Sequence, residues 1–302
     1  MPSLEIPTIS VATHLDLWYA FESVYEVKEE GRTAMKLGLC TIAFREKPLA
    51  DVVSIAADYG FDGVELWGQS PHMPPEYDAA YVKHVRDLVS QKGLEVAALG
   101  TYVNPLMPKH YQHFENAFKI AQGLGTNLVR IWSGGGRSRS IHPDDKRLIG
   151  FRLVPLAQWA QFRRITLGIE MHDNNLTDSV ESILALIKQT KSPALKTYFQ
   201  PLFRSDADDP IEAAQKLAPY IVNVHAQNVD ASGKPCPTAD GVVDYEKVVE
   251  VLASAGYSGY LEVEFVRGED KLAALQRDRD YLASLISMQH SGLLQASEAN
   301  PV

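Results

Sequence analysis

The chain has 302 residues, of which 45% are apolar and 22% charged, and this composition excludes collagen-like, disordered and coiled-coil proteins. Its 29 basic and 38 acidic side chains give a formal net charge of −9. That charge argues against a general binder of nucleic acid or acidic membranes, because phosphate polyanions are repelled at long range. Cys40 and Cys236 are too few for a disulfide framework, so we expect a cytoplasmic setting. No apolar run of roughly 18 residues occurs, and no membrane span is expected.

From residue 35 onward a unit repeats, in which a short β-rich run is followed by a helical pattern, a glycine and the next run. Residues 1–34 are predicted to be an N-terminal extension and residues 291–302 a C-terminal tail. The predicted strands are 36–40, 63–67, 94–99, 127–132, 166–171, 196–200, 221–227 and 259–265. The clearest helical patterns are 48–59, 111–124, 179–190, 245–255 and a final helix over 271–289.

Eight strands that alternate with helices predict parallel pairing, because a helix is the usual crossover between parallel strands. No linker-like stretch divides the series. The sequence therefore predicts the α/β class and a single (β/α)8 TIM barrel over residues 35–290, in preference to an open sheet. In such a barrel the functional site lies at the C-terminal ends of the strands.

Polar side chains occur in pairs at these strand ends. Residues two apart share one face of a strand, and the pairs are Glu170 and His172, His225 and Gln227, and Glu262 and Glu264. A buried carboxylate is costly unless it is paired or bound to a cation. A divalent cation at the barrel mouth is the simplest explanation for their convergence. Glu262 is expected to lie one layer deeper and to pair with a barrel arginine such as Arg130.

Four segments make the chain resemble the xylose isomerase-like barrels, which include sugar-phosphate isomerases and epimerases, inosose dehydratases and endonuclease IV. The resemblance covers about residues 35–288. The segments are the Glu-bearing fifth strand at 168–172, an H-x-x-[DN] pattern at 225–228, a Gly-Val-Val-Asp-Tyr lead into the last barrel helix before the eighth strand at 241–245, and a GY-x-G-x₄-E pattern at 256–264. Jointly they indicate the superfamily, but none of them identifies a substrate.

The resemblance implies a metal site built from the fifth to the eighth strand. In the family the ligands are Glu, Asp, His and Glu, which correspond here to Glu170, Gln200, His225 and Glu264. Gln200 departs from the family's Asp, and its oxygen ligates a cation without charge. We therefore expect weaker binding and a stronger Lewis acid. Oxygen and nitrogen ligands favour Mn²⁺, Mg²⁺ or Co²⁺.

The resemblance also implies proton abstraction next to a carbonyl, through a metal-stabilised enediolate. In an isomerase or epimerase of sugars, sugar acids or sugar phosphates, Glu170 and Glu264 would act from opposite faces of the substrate. If only one of them removes a proton and a hydroxyl leaves, the same site is a dehydratase of the inosose or dehydroshikimate type. His172 is a candidate donor to a substrate oxygen. Phe203 stands where the epimerases carry a His.

Further residues of the strand ends and loops are candidates for contacts with a small sugar or polyol. Arginines there could bind a phosphate or carboxylate, and tryptophans could stack on a sugar face or pack under a loop. The candidate substrate contacts are Glu65, Trp67, His72, Trp132, Arg204 and Arg267.

One other function remains open, and a second is disfavoured. Gln200 also suits a barrel that binds a sugar without turnover. A phosphodiesterase like endonuclease IV is disfavoured, because it would need more His and Asp ligands and a basic face. The sequence leaves the substrate open, and also the oligomeric state, with a homodimer or homotetramer as candidates.

Overall fold

The computed structural model describes residues 34–298, so the predicted extension, except for its last residue, lies outside the described range, as do residues 299–302. The barrel strands are β1 Lys36–Cys40, β2 Gly63–Trp67, β3 Glu95–Gly100, β4 Leu128–Ile131, β5 Thr166–Glu170, β6 Leu195–Phe199, β7 Ile221–Ala226 and β8 Tyr260–Val263. The helices are α1 Leu49–Asp58, α2 Ala79–Gln91, α3 His110–Leu124, α4 Pro143–Phe162, α5 Val180–Thr190, α6 Pro210–Leu217, α7 Tyr245–Ser254 and α8 Lys271–Glu298.

The eight strands form a closed barrel in chain order, and every pairing within it is parallel. The barrel closes where β8 pairs with β1, with Tyr260 beside Lys36. The predicted (β/α)8 barrel is thus confirmed, and each predicted strand overlaps an observed one. The loop after β7 contains a short pair of antiparallel strands, Asn228–Val229 and Pro235–Cys236.

Helices α2, α4, α5, α6 and α7 each begin after a residue whose side chain accepts a hydrogen bond from the first turn. Ser179 caps α5, and its hydroxyl accepts a hydrogen bond from the Ser182 backbone N–H. Asp209 caps α6 in the same way, accepting from the backbone N–H groups of Ile211 and Glu212. The last helix continues to Glu298, so residues 291–298, predicted as part of a tail, are helical. Leucine, glutamine and alanine there favour a helix.

The apolar core lies between the barrel and the surrounding helices, and it includes the fully buried Val64, Ile169 and Leu261. None of the helices within residues 34–298 is both long and apolar enough to cross a membrane.

The inside of the barrel is polar. Barrels of this type usually fill their interior with branched apolar side chains. Here the strands instead direct buried charged groups at one another, and these are Glu65, Arg130, Glu170, His225 and Glu262. The barrel interior therefore holds the candidate site.

Candidate active site

His225 stands at the centre of four carboxylates. Its Nδ1 lies 3.4 Å from Glu170 Oε1 and 3.5 Å from Glu264 Oε2. Its Nε2 lies 3.1 Å from Glu65 Oε2 and 3.5 Å from Glu262 Oε2. The register of β7 and β8 places Glu262 directly beside His225, and all five side chains are buried. The imidazole thus separates an upper pair of acids near the strand ends, Glu170 and Glu264, from a lower pair, Glu65 and Glu262.

Arg130 is the buried cation of this cluster. Its Nη1 lies 3.4 Å from Glu170 Oε2 and 3.6 Å from Glu65 Oε1. The expected partner was Glu262, but that residue contacts His225 instead. The reason is position around the barrel, since Arg130 lies on β4, beside β5 and on the side of the barrel opposite β8.

The surroundings separate the pKa values of the four carboxyls. Burial raises the pKa of Glu65, but the charges of His225 and Arg130 outweigh it and bring that pKa down to about 2. Burial also raises the pKa of Glu170, but the positive charges of Arg130 and His225 lower it by more, so the net shift is downward. Burial and the charge of Glu65 raise the pKa of Glu262 to about 7, and burial raises the pKa of Glu264.

The upper acids and His225 fit a divalent cation. Their ligand atoms all lie within 4.8 Å of one another. The edges of a tetrahedron with metal–ligand bonds of 2.0–2.3 Å are roughly 3.3–3.8 Å long, and the two measured separations at Nδ1 fall in that range. Glu170 Oε2 and His225 Nδ1 are buried without a hydrogen-bond partner. A cation at these ligand atoms would satisfy His225 Nδ1, and Glu170 Oε1, the oxygen nearest that nitrogen, also accepts a hydrogen bond from Arg130 Nη1 at 3.4 Å.

Gln200 reaches this site through Gln227. The Gln227 amide Nε2 donates to Gln200 Oε1 at 2.5 Å and to Glu264 Oε2 at 2.9 Å. Gln200 Nε2 in turn donates to the Met171 carbonyl at 2.6 Å. Two oxygens predicted to ligate the metal therefore point at one amide group, and Gln227 joins the site although it was not among the predicted site residues.

Aromatic side chains form a wall at the same end of the barrel. Trp67 Nε1 donates to the Tyr102 hydroxyl at 2.9 Å. Tyr102 stacks on Trp132, with ring centroids 5.5 Å apart, and Trp132 lies 4.6 Å from the His172 ring. The Trp132 Nε1–H is buried without a hydrogen-bond partner, so it is available to a substrate oxygen. Tyr102 was missed because it lies in a loop after β3.

Comparison with known proteins identifies the family. The family described as xylose isomerase-like TIM barrel has a sequence model that matches residues 53–285. The chain belongs to this family. It is 28% identical over 272 residues to a 3-dehydroshikimate dehydratase of Bacillus anthracis, covering 85% of this chain and 92% of the relative. It is 23% identical over 204 residues to an L-ribulose-5-phosphate 3-epimerase of Escherichia coli, covering 66% and 71%.

Solved structures of the xylose isomerase-like family share the fold. A probable 3-dehydroshikimate dehydratase from Bacillus anthracis superposes with a TM-score of 0.68 at 23% identity, covering 82% of this chain and 99% of that one. A family protein from Mycobacterium smegmatis in complex with magnesium gives 0.68 at 17% identity, covering 84% and 97%.

Two predicted substrate contacts of this xylose isomerase-like barrel are engaged by the protein itself. His72 is fully buried, its Nε2 lies 2.9 Å from the Lys47 carbonyl, and its ring packs edge-on against Trp67. Arg204 lies 2.8 Å from Asp173 Oδ1 and 2.6 Å from Asp206 Oδ1. His72 is therefore buried beneath its own loop, and Arg204 links the loops that follow β5 and β6.

His172 and Arg267 remain open to a ligand. His172 Nδ1 is hydrogen-bonded to the Asp173 carbonyl, so in the neutral ring Nε2 carries a lone pair and accepts a hydrogen bond. The donor role predicted for His172 requires the protonated ring, in which both nitrogens donate. The Arg267 guanidinium lies 4.7 Å from the Phe265 ring centroid and borders a small cavity of about 50 Å³ that Gln227 also lines.

Proposed function

We propose that the protein is a divalent-metal-dependent dehydratase acting on a carboxylated hydroxy-ketone of the 3-dehydroshikimate kind. The relative of that name is similar over 85% of this chain, whereas the similarity to the epimerase covers 66%. The observation that carries the proposal is Arg267. Among residues 34–289, no acid lies within ion-pair distance of it, while Arg137, Arg139 and Arg204 all pair with Asp206. A substrate carboxylate is the partner that Arg267 lacks.

The barrel geometry favours a substrate that lies across the mouth. Arg267 follows β8 and Trp132 follows β4, and these strands lie on opposite sides of the barrel. A ring bound between them would have its carboxylate on Arg267 and an oxygen on Trp132 Nε1, above Glu170 and Glu264. Tyr102 provides an aromatic face beside the ring.

The two upper carboxylates have different surroundings, and we assign them different tasks. When bound, a divalent cation polarises the substrate carbonyl. The permanent positive charge of Arg130 lies beside Glu170. This carboxylate therefore stays ionised and removes the proton next to the carbonyl. Glu264 contacts Gln227 and His225, and Arg130 lies beyond ion-pair distance from it, so it delivers a proton to the leaving hydroxyl. His172 Nε2 accepts a hydrogen bond from a substrate hydroxyl.

A direct assay tests the proposal. The full chain is loaded with Mg²⁺, Mn²⁺, Co²⁺ or Zn²⁺ and mixed with 3-dehydroshikimate, and the ultraviolet absorption of the conjugated product should grow with time. Arg267→Gln should raise KM at least about tenfold, because a hydrogen bond to a charged group contributes about 1.5–3 kcal/mol. Arg277→Gln is the matched control, since Arg277 is exposed and pairs with Asp240. No product with any metal overturns the proposal.

An isomerase or epimerase of sugars is the second candidate. It is favoured by the nearly equal placement of Glu170 and Glu264, 3.4 Å and 3.5 Å from the same His225 nitrogen. Such an enzyme would carry deuterium from D₂O into a ketose or ketose phosphate without producing an absorbing product. A protein that only binds a sugar would give neither signal.

A further inference from the structure

A second group of ligating side chains lies below the first, at the other nitrogen of His225. Cys40 ends β1, and its Sγ lies 3.6 Å from Glu65 Oε1. Glu65 Oε2 lies 3.1 Å and Glu262 Oε2 3.5 Å from His225 Nε2. The ligand atoms of Cys40, Glu65 and His225 all lie within 4.8 Å of one another. We refer to Cys40, Glu65, His225 and Glu262 as the lower cluster.

Glu262 gives an independent reason to look for a ligand here. It is fully buried, and neither of its carboxylate oxygens accepts a hydrogen bond. The nearby Asn223 amide donates to Glu65 instead. The barrel makes room for this acid at Gly38, where a Cβ would lie 2.6 Å from Glu262 Cγ. A buried carboxyl without hydrogen bonds is costly even with His225 Nε2 3.5 Å away, and a cation beside that nitrogen would offset the cost.

We propose that the lower cluster binds a second divalent cation of the zinc or cobalt class, through Cys40 Sγ, His225 Nε2 and the carboxylates of Glu65 and Glu262. The separations of 3.6 Å between Cys40 Sγ and Glu65 Oε1 and of 3.5 Å between Glu262 Oε2 and His225 Nε2 match the roughly 3.3–3.8 Å edges of a tetrahedral site, and the 3.1 Å between the other Glu65 oxygen and His225 Nε2 is shorter. A thiolate selects Zn²⁺ or Co²⁺ over Mg²⁺ and Mn²⁺, in contrast to the upper site. The inference does not depend on the dehydratase reaction.

The charge of the barrel interior is consistent with two cations. Four carboxylates, a thiolate and the fully deprotonated ring of His225 exceed the single guanidinium of Arg130 by five charges, of which two divalent cations neutralise four. On binding, the Cys40 thiol and the remaining His225 ring N–H release their protons to solvent, and the ring then joins the two ions. A single upper cation, a neutral thiol and one proton shared by Glu65 and Glu262 would make the interior neutral, and the metal content of the protein distinguishes the two arrangements.

Cobalt reports directly on the thiolate. The purified full chain is equilibrated with Co²⁺, freed of excess ion, and analysed for metal content and absorption. We expect two equivalents of Co²⁺ and the near-ultraviolet charge-transfer band of a cobalt thiolate. The band should be lost in Cys40→Ser and kept in Cys236→Ser, the matched control at a partly exposed thiol. Glu264→Gln should weaken binding at the upper site and keep the band.

Each outcome supports or overturns the lower site, whatever reaction the protein catalyses. A wild-type spectrum without the band overturns the proposal at any stoichiometry, and so does a band that survives in Cys40→Ser. If Cys40→Ser does not fold, the band and the metal content of the wild-type and Cys236→Ser proteins decide the question. Two equivalents with a band that requires Cys40 support the proposal.

Discussion

Arg130 Nη1 lies 3.4 Å from Glu170 Oε2, and both side chains are buried in the barrel interior. The two residues lie on the adjacent strands β4 and β5, where Arg130 is paired in register with Gly168. Since a guanidinium is always charged in proteins, Glu170 has a permanent cation beside it, whether or not a metal is bound.

Replacing Arg130 with an uncharged residue should destabilise the folded protein. We expect Arg130→Met to lower the free energy of unfolding by about 3–5 kcal/mol, because breaking a buried pair leaves an uncompensated charge. The variant should also raise the pKa of Glu170, so that the acidic limb of the kcat/KM profile moves to higher pH. Urea unfolding and a pH–rate series measure the two effects. Arg277→Met, at an exposed ion pair, should cost no more than about 1 kcal/mol. Equal losses in both variants would contradict this account.

Gly100 makes room for the carboxylate of Glu65. It ends β3, and a Cβ at this position would overlap Glu65 Oε1. Gly100→Ala should therefore displace Glu65 from His225 and lower the free energy of unfolding by about 1–3 kcal/mol, as is typical of overpacked cores. Gly136→Ala is the control, because no atom lies within 4 Å of a Cβ there. Urea unfolding of both variants measures the difference, and an unchanged stability of Gly100→Ala would refute the close fit.

The strands could be predicted because each carries a local signal, a short β-rich run between a glycine-containing turn and a helical pattern. The shared direction of Glu170 with His172, and of Glu262 with Glu264, followed from the two-residue period of a strand. The contacts of Arg130 could not be predicted, because they depend on which strands lie beside it once the barrel closes.

Loop residues were harder to interpret for a related reason. The sequence placed His72 and Arg204 near the mouth, but no period indicates whether a loop side chain turns toward substrate or toward its own protein. The Lys47 carbonyl that contacts His72 follows the preceding strand of the barrel. Asp173, which binds Arg204, is 31 positions away along the chain. Such partners become neighbours only in the folded state.

Gln200 should limit the affinity of the upper metal site. Its amide oxygen is neutral and already accepts a hydrogen bond from Gln227. Gln200→Asp adds a negative charge beside Glu264, and we expect Mn²⁺ to bind at least about tenfold more tightly, a gain of about 1.4 kcal/mol. Gln200→Asn is the matched control, since it has the length of Asp without the charge. Calorimetric titration with Mn²⁺ measures all three proteins. Equal affinities for the Asp and Asn variants would show that position 200 does not contribute a charged ligand.

Asp278 gives a prediction that is independent of the metal sites. This residue of α8 is buried, and its Oδ1 accepts a hydrogen bond of 2.8 Å from the Thr238 backbone N–H. Burial raises the pKa of Asp278 above 3.8, while the Thr238 N–H and Arg277 oppose the rise and Asp240 adds to it. Because the folded-state pKa exceeds the unfolded one, the favourable contribution is complete below pH 3.8. It is lost as pH rises through the folded pKa.

Asp278→Asn should therefore increase the free energy of unfolding at pH 7, because the amide keeps the acceptor for Thr238 and carries no charge to bury. The gain should shrink as the pH is lowered toward about 4, where the wild-type carboxyl takes up its proton more readily in the folded protein. Asp278→Leu leaves the Thr238 N–H without a partner and should cost about 1–3 kcal/mol at both pH values. Urea unfolding of the three proteins at the two pH values makes the comparison. A loss of stability in Asp278→Asn that is the same at both would contradict the predicted cost of burying this charge.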